Sequence, residues 1–501
     1  MSGIFAMTGS IDQDTMGEVL KSMHHRGSDG GDDVLLDSFH LAHQPLSIIG
    51  MEQGKQPISN EEKTKWIVVD GEIYNGFDLK NELQDTKEFR TGSSSEVVLN
   101  LYEEEGTQTV RKLDGMFAFV IVDTKKNSFM AARDTLGIKP LYYGKDAEGN
   151  MIFASEMKAL YKVTDDVHEF PAGSYYTPEE GFVTYLKIQQ PKEEHIFPEN
   201  KLPQMLDGIR HRLKHAVVKR LKADAEVGVL LSGGLDSSLI ALLAQANRER
   251  EQPLKSFCVG SEESEDVKRA RQVAKEIGTI HYEYIFSEQE LIEYLPEVIY
   301  HLESYDPSLV RSAIPNYFVS KLASEHVKVI LSGEGADELF SGYDYLKDIK
   351  DTNELNRELI RIINTMHNIN LQRADRMSMA HSVELRVPFL DLELIEFALK
   401  IPAELKLTDD QVEKWIVRKA YDGQLSDEII WRKKSEFSEG SGALDILESY
   451  AEDKFSDEEL TEANRENKWV RSKQELLYFS LFKKYFPDQS ALSVVGHWAT
   501  V

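Results

Sequence analysis

The stretch from Val227 to Asn247 restricts the fold more than any other part of this 501-residue chain. An apolar run, Val227-Gly228-Val229-Leu230-Leu231, passes through Ser232-Gly233-Gly234-Leu235-Asp236-Ser237-Ser238 straight into a helix-forming segment that reaches Asn247. A strand apolar on both faces needs cover above and below, so this pattern predicts a parallel sheet flanked by helices. An amphipathic helix over about 205–222 leads in. Further apolar strands are expected at 255–259, 282–286 and 327–331, with a helix over 266–277 and another before the last strand. Residues 350–501 read as mostly helical.

The glycine-rich string between strand and helix suits an anion. Glycines let the backbone turn tightly, successive N–H groups and serine hydroxyls donate, and the helix N-terminus adds a favourable dipole. It is not a Walker A loop, because no Gly-Lys-Ser/Thr follows at the required spacing. Asp236 inside the loop would repel phosphate unless a divalent cation stood between them, which implies Mg2+. A second loop, Ser332-Gly333-Glu334-Gly335-Ala336-Asp337-Glu338-Leu339-Phe340-Ser341-Gly342-Tyr343, also follows an apolar strand. Ligands of open α/β sheets sit beyond the strands' carboxyl ends, so both loops can serve one site, with Asp236 and Asp337 sharing the metal. His211 and His215 stand at helical i, i+4 spacing, but no third ligand accompanies them and a solvated face is expected.

Residues 1–188 have a different texture. Short runs such as 117–123, 128–132 and 151–154 are separated by turn-forming polar segments, and 16–25 and 96–105 read as helices. This predicts an α+β unit of stacked or paired antiparallel sheets. Residues 189–203 are polar and interrupted by proline, as a linker would be, which leaves 204–501 as the second unit. The charge balance, 58 Lys and Arg against 86 Asp and Glu, is −28 and argues against binding nucleic acid or an anionic membrane. With 41% hydrophobic and 29% charged residues the chain has globular composition. One cysteine, Cys258, permits no internal disulfide and no cysteine-based metal site, as in a reducing cytosol. No signal sequence or span of about 20 apolar residues is evident, so a cytoplasmic protein is expected.

The string Ser-Gly-Gly-Leu-Asp-Ser-Ser resembles the pyrophosphate loop of the PP-loop ATP pyrophosphatases, which cleave ATP to AMP and pyrophosphate while adenylating a substrate. Leu331–Glu338, Val383–Asp391 and Trp431–Gly440 narrow the likeness to the asparagine synthetase B family of two-domain, glutamine-dependent enzymes. Gly71–Asn75, Asp114–Phe119, Arg133–Tyr142 and Ala154–Leu160 resemble that family's class II glutaminase domain, so nearly the whole chain is covered. The resemblance implies an Ntn-hydrolase-like first domain of stacked antiparallel sheets and an α/β PP-loop second domain with a helical C-terminal part. It implies ATP as substrate, Mg2+, small-molecule partners and a homodimer. On matching positions, Ser232, Gly233, Gly234, Asp236, Ser237 and Ser238 would hold pyrophosphate, and Leu231, Val259, Ser332 and Gly333 would border adenosine. Asp236 and Asp337 would ligate Mg2+. Lys434 would offset phosphate charge, and Glu334 would accept a proton as ammonia attacks. Arg311 and Arg373 are candidates for the substrate carboxylates.

The glutaminase half departs from its family at four positions. Ser2 stands where the family has its nucleophilic cysteine, and a hydroxyl is the weaker nucleophile. Pro45 replaces the arginine that clamps the glutamine carboxylate. Asp70, in Asp70-Gly71-Glu72, replaces an oxyanion-hole asparagine and as a carboxylate cannot donate. Ser94 replaces the aspartate that holds the substrate ammonium. Gly71 keeps its N–H and Arg26 survives, so the scaffold is expected without the activity. The expected reaction is adenylation of aspartate, or a related acid, followed by attack of ammonia. Intramolecular amide closure of the β-lactam synthetase kind, amidation of another acid, and a non-catalytic regulatory relative remain open.

Overall fold

Strand β1 (Ser2–Thr8) sends Ile4 and Ala6 to one side and Phe5 and Met7 to the other, and all four are at most 2% exposed. A strand apolar in both phases must be covered on both faces, and it is. The computed structural model describes residues 2–48, 55–83, 87, 89–249, 251–262, 264–408, 410–432 and 443–498. With β1, the strands β2 (Asp32–Leu35), β3 (Phe39–Pro45), β4 (Ile58–Ser59), β5 (Lys65–Ile73), β6 (Gly115–Asp123), β7 (Ser128–Arg133), β8 (Tyr142–Lys145), β9 (Met151–Ala154), β10 (His168–Glu169), β11 (Ser174–Thr177) and β12 (Gly181–Thr184) build two sheets. Their orders are β10-β8-β9-β1-β3-β2 and β12-β11-β7-β6-β5-β4, with antiparallel pairings throughout. The inner faces meet through Ile4, Ala6 and Leu41 against Val68, Ala118 and Val120. Met16 and Val19 of the helix Gln13–Ser22 cover the first sheet, and Val97 and Leu101 of the helix Ser94–Glu105 cover the second.

Both helices start two or three residues before the apolar periodicity does. Asp12 accepts from the Thr15 N–H and Ser93 from the Ser95 N–H, so polar caps set the start. The stacked antiparallel sheets expected for this half are thus present. Between Thr184 and Leu202 the described chain forms only short 3-10 turns.

His43 in β3 pairs in register with Ile4 on one side and Asp32 on the other, and neither ring nitrogen has a hydrogen-bond partner. Burial pushes its pKa from 6.5 down to about 3. The unfolded chain therefore binds a proton between these values that the folded chain does not, and stability should fall as pH drops below 6.5. His43→Leu is expected to flatten the pH dependence of unfolding free energy between pH 6 and 4 by about 1.4 kcal/mol per pH unit. Denaturant melts across that range check it, and an unchanged slope would show that His43 is not held neutral.

The second sheet system is parallel: β13 (Val227–Leu230), β14 (Lys255–Gly260), β15 (Ile280–Ile285), β16 (Val329–Leu331) and β17 (Glu384–Arg386), in the order β15-β14-β13-β16-β17. The first four lie within two residues of expectation at each end. The fifth is a short strand not expected within the mostly helical stretch past 350. Its outer residues are charged, which hides the strand, yet both are fully buried because Arg386 pairs with Glu384. Arg386 also donates to the carbonyls of Arg220 at 2.7 Å and Lys222 at 2.8 Å. The chain leaves β13 towards β14 and returns on the other side at β16. The loops after β13 and β16 therefore flank the crevice where the winding direction reverses.

Candidate functional site

Those two loops close on one cavity of about 490 Å³. Its wall includes Leu231, Ser232, Gly234, Asp236 and Ser237 from the first loop and Ser332, Gly333, Glu334 and Asp337 from the second, with Val259 at the end of β14. Gly333 allows the approach: a Cβ there would lie 2.9 Å from Asp236 Cβ and 3.1 Å from the Ser237 nitrogen. The helix Leu235–Asn247 begins at Gly234 with no side-chain cap, leaving its first-turn N–H groups for a ligand. Two loop residues, Gly233 and Ser238, are not among those lining the cavity. The Ser238 hydroxyl is buried and donates to the Gly234 carbonyl at 2.6 Å, and the Gly233 carbonyl accepts from Arg432 at 3.1 Å. Both shape the turn.

Between the loops stands Lys414, which no sequence pattern singled out. Its ammonium lies 2.5 Å from Asp236 Oδ2 and 2.6 Å from Asp337 Oδ1, and the residue is 2% exposed. Burial alone would favour the neutral amine, but the two carboxylates raise the Lys414 pKa above the ordinary lysine value. Its backbone is left-handed, φ 55°, at the entry to the helix Trp415–Ala420, a conformation costly for a residue with a side chain. Two carboxylate oxygens facing one cation suit Mg2+ when phosphate oxygens complete its shell. No cluster of three or more His, Cys, Asp or Glu that could hold a metal occurs among the described residues.

Arg373 pairs with Glu334 and donates from Nη1 to Ser312 Oγ at 3.0 Å. Asn370, one turn earlier on the helix Asn370–Met379, shares the cavity wall. Arg311 also lines the cavity, but its Nε donates to Gln474 Oε1 at 2.9 Å. Glu338 accepts from Tyr343 at 2.7 Å and from Asn370 at 2.8 Å, and burial, joined by the charge of Asp337, pushes its pKa up to about 7. Lys434 lies outside the described residues. His211 is exposed, and His215 is exposed with Nδ1 3.9 Å from a Glu393 oxygen.

In the other half, Ser2 is 1% exposed, and its hydroxyl donates to the Val69 carbonyl at 2.9 Å. The Ser2 N–H donates to Asp70 Oδ1 at 3.0 Å, and Arg26 donates to Asp70 Oδ2 at 2.8 Å and to the Ser2 carbonyl at 3.0 Å. Pro45 faces Ser2 across the β1–β3 pairing. Gly71 has φ +136°, and a Cβ there would lie 2.0 Å from the Met116 carbonyl oxygen, so packing alone requires glycine. Ser94 donates to Glu72 at 3.3 Å, and burial pushes the Glu72 pKa up.

Arg26 also reaches across to the second half. Its Nη1 lies 2.8 Å from both Glu156 and Asp375, and Lys139 donates to Asp375 as well. Arg376 pairs with Glu156 at 2.8 Å and Glu303 at 2.9 Å, and Lys158 pairs with the same two acids at 2.5 and 3.0 Å. Four bases thus meet four acids, Asp70, Glu156, Glu303 and Asp375, in a buried seam. The helix Asn370–Met379 presents Asn370 and Arg373 to the cavity and Asp375 and Arg376 to this seam.

Residues 1–212 match the family described as glutamine amidotransferase domain, and residues 208–354 and 346–491 match the asparagine synthase family. Asparagine synthetase [glutamine-hydrolyzing] 2 of Arabidopsis thaliana is 38% identical over 519 residues, covering 99% of this chain and 89% of that protein. A probable asparagine synthetase [glutamine-hydrolyzing] of Dictyostelium discoideum is 37% identical over 538 residues, covering 99% and 96%. Asparagine synthetase [glutamine-hydrolyzing] 2 of Oryza sativa subsp. japonica is 39% identical over 522 residues, covering 99% and 88%.

Proposed function

The chain belongs to the asparagine synthetase family, and from that premise we propose that it adenylates aspartate with ATP and joins the adenylate to ammonia without hydrolysing glutamine. The observation that carries the ligase half is the convergence of Asp236 and Asp337 on one cavity beside an uncapped helix N-terminus. A carboxylate does not react with ammonia, whereas an acyl-adenylate has a good leaving group and an open carbonyl.

In this mechanism the first-loop serines and the N–H groups of the helix Leu235–Asn247 hold the phosphates in line for attack by the acid's carboxylate on the α-phosphorus. Asp236 and Asp337 would hold Mg2+, which when bound offsets phosphate charge. Lys434 would offset the charge that grows on the leaving pyrophosphate. Arg373 holds a substrate carboxylate and keeps Glu334 directed at the reacting carbon. Attack by ammonia creates a positively charged nitrogen acidic enough that even an arginine-paired carboxylate such as Glu334 can take its proton.

The glutaminase loss is supported by Ser2, whose hydroxyl is buried and directed into the Val69 carbonyl. Asp70 accepts where an oxyanion hole needs a donor. Restoring the thiol therefore should not restore activity. Ser2→Cys, like the unaltered chain, is expected to hydrolyse glutamine at less than about one-hundredth of its ammonia-dependent synthetase rate, since oxyanion stabilisation alone is worth about 10²–10³. Glutaminase turnover comparable to the synthetase rate in the unaltered chain refutes the loss.

Pyrophosphate release against a panel of acids, with ammonia, glutamine or neither, tests the whole proposal. Stimulation by aspartate with ammonia is expected. Release and product formation with neither nitrogen donor would replace it with intramolecular amide closure.

A further inference from the structure

We propose that the segment Val495–Trp498 forms one wall of the acid-binding end of the cavity and that Trp498 determines which acid fits. This rests on the amide-ligase proposal above. Trp498 lines the cavity, and its ring centroid lies 5.1 Å from that of Tyr343 at an interplanar angle of 60°. Asn370 Nδ2 donates to Glu338 at 2.8 Å and to the Tyr343 hydroxyl at 2.9 Å. Arg373, paired with Glu334, follows one turn later on the same helix. An indole, a phenol and an amide therefore form one contact series, with the guanidinium one turn further along the helix and paired with the glutamate proposed to accept the proton. The lining also includes the apolar residues Leu231, just past β13, and Phe257 and Val259 of β14. A small acid carrying polar groups belongs beside the Tyr343–Asn370–Arg373 series, and a purine against the apolar groups.

Three attachments seat the segment. The Trp498 N–H donates to Asp306 Oδ2 at 3.1 Å. Asp306 Oδ1 accepts from the N–H groups of Ser308 and Leu309, capping the helix Pro307–Ser324 that carries Arg311, Ser312 and Asn316 to the cavity. One buried carboxylate thus ties the segment to the start of a cavity-forming helix. His497 stacks on Trp469 with centroids 4.2 Å apart and planes 16° apart. Gly496 packs directly on Asn368, two residues before Asn370: a Cβ there would lie 2.4 Å from the Asn368 carbonyl oxygen. Any larger residue must move either the segment or the turn that begins the Asn370 helix.

A rigid aromatic wall excludes water from the acid and limits its length. Trp498→Ala is expected to raise KM for aspartate about tenfold, roughly one buried contact's worth, while KM for ATP stays within about twofold. The rate with glutamate, one methylene longer, should rise relative to aspartate. Trp498→Phe should keep the aspartate KM. Gly496→Ala, with Trp498 intact, should reproduce the aspartate KM shift by lifting the segment from Asn368. Unchanged aspartate KM and acid preference in Trp498→Ala overturns the proposal, as does an equal rise in both KM values, which would mark general loosening. If the unaltered chain uses an acid other than aspartate, the choice of aspartate has failed but the wall has not: Trp498→Ala must then shift KM for that acid and spare ATP. Release with no acid of the panel overturns both.

Discussion

Asp236→Ala is expected to lower aspartate- and ammonia-dependent pyrophosphate release by at least about 10³-fold, the upper range for losing a preorganised charge in a closed site. Lys414→Met is expected to lower it by about 10²-fold. The two expectations share one geometry, since Lys414 holds the Asp236 and Asp337 carboxylates together from opposite loops. Without Asp236 a bound Mg2+ would lose one of the two carboxylates proposed to hold it. Without Lys414 the two carboxylates lose the ammonium that bridges them, and their loops lose a link that keeps them registered before ATP arrives. Lys434→Ala belongs with them and should abolish release. Initial rates, read beside thermal unfolding to confirm folded protein, decide the matter. Turnover of Asp236→Ala within about threefold of the unaltered chain would sink the assignment of this cavity as the adenylation site.

The second large effect is on stability. Arg26→Met should cost about 3–5 kcal/mol, because it leaves buried carboxylates of Asp70, Glu156 and Asp375 short of a partner. That is a large part of the 5–15 kcal/mol typical of a domain, so a much lower midpoint or aggregation is expected. Adding Asp70→Asn to Arg26→Met removes one uncompensated charge and should recover part of the loss, the coupling that neighbouring members of one network show. Urea unfolding of the two single variants and the double variant measures it. A single variant within about 1 kcal/mol of the unaltered chain would show that the seam is solvated in solution. Of the four positions read as departures in the first half, Asp70 gains a physical meaning from this seam: a carboxylate that cannot donate to an oxyanion serves as an anchor for Arg26.

The parallel strands were legible because buried strands read as apolar runs bounded by glycine-rich turns, and β13 to β16 announce themselves that way. The strand β17 did not, because Glu384 and Arg386 neutralise each other inside the protein and look exposed in the sequence. Helix starts ran late for a related reason: caps such as Asp12 and Ser93 are polar and carry no periodicity. Within the site, Asp236, Glu334 and Asp337 were visible because each sits in a glycine-rich loop at a strand end. Arg311 and Arg373 looked equivalent, and only packing separates them: one donates to Gln474, the other to Glu334.

Local chemistry written along the chain determined the α+β and α/β halves and the two loops. Hydrophobic period, turn residues and loop composition act over a few positions, so a single sequence carries them. Tertiary structure alone decided that Lys414, 178 residues from Asp236, bridges the two loops, that Asp375 and Arg376 join the halves, and that Trp498 walls the cavity. Those contacts depend on how the chain returns on itself. A charged or aromatic side chain has the same appearance in sequence whether water or a buried partner meets it.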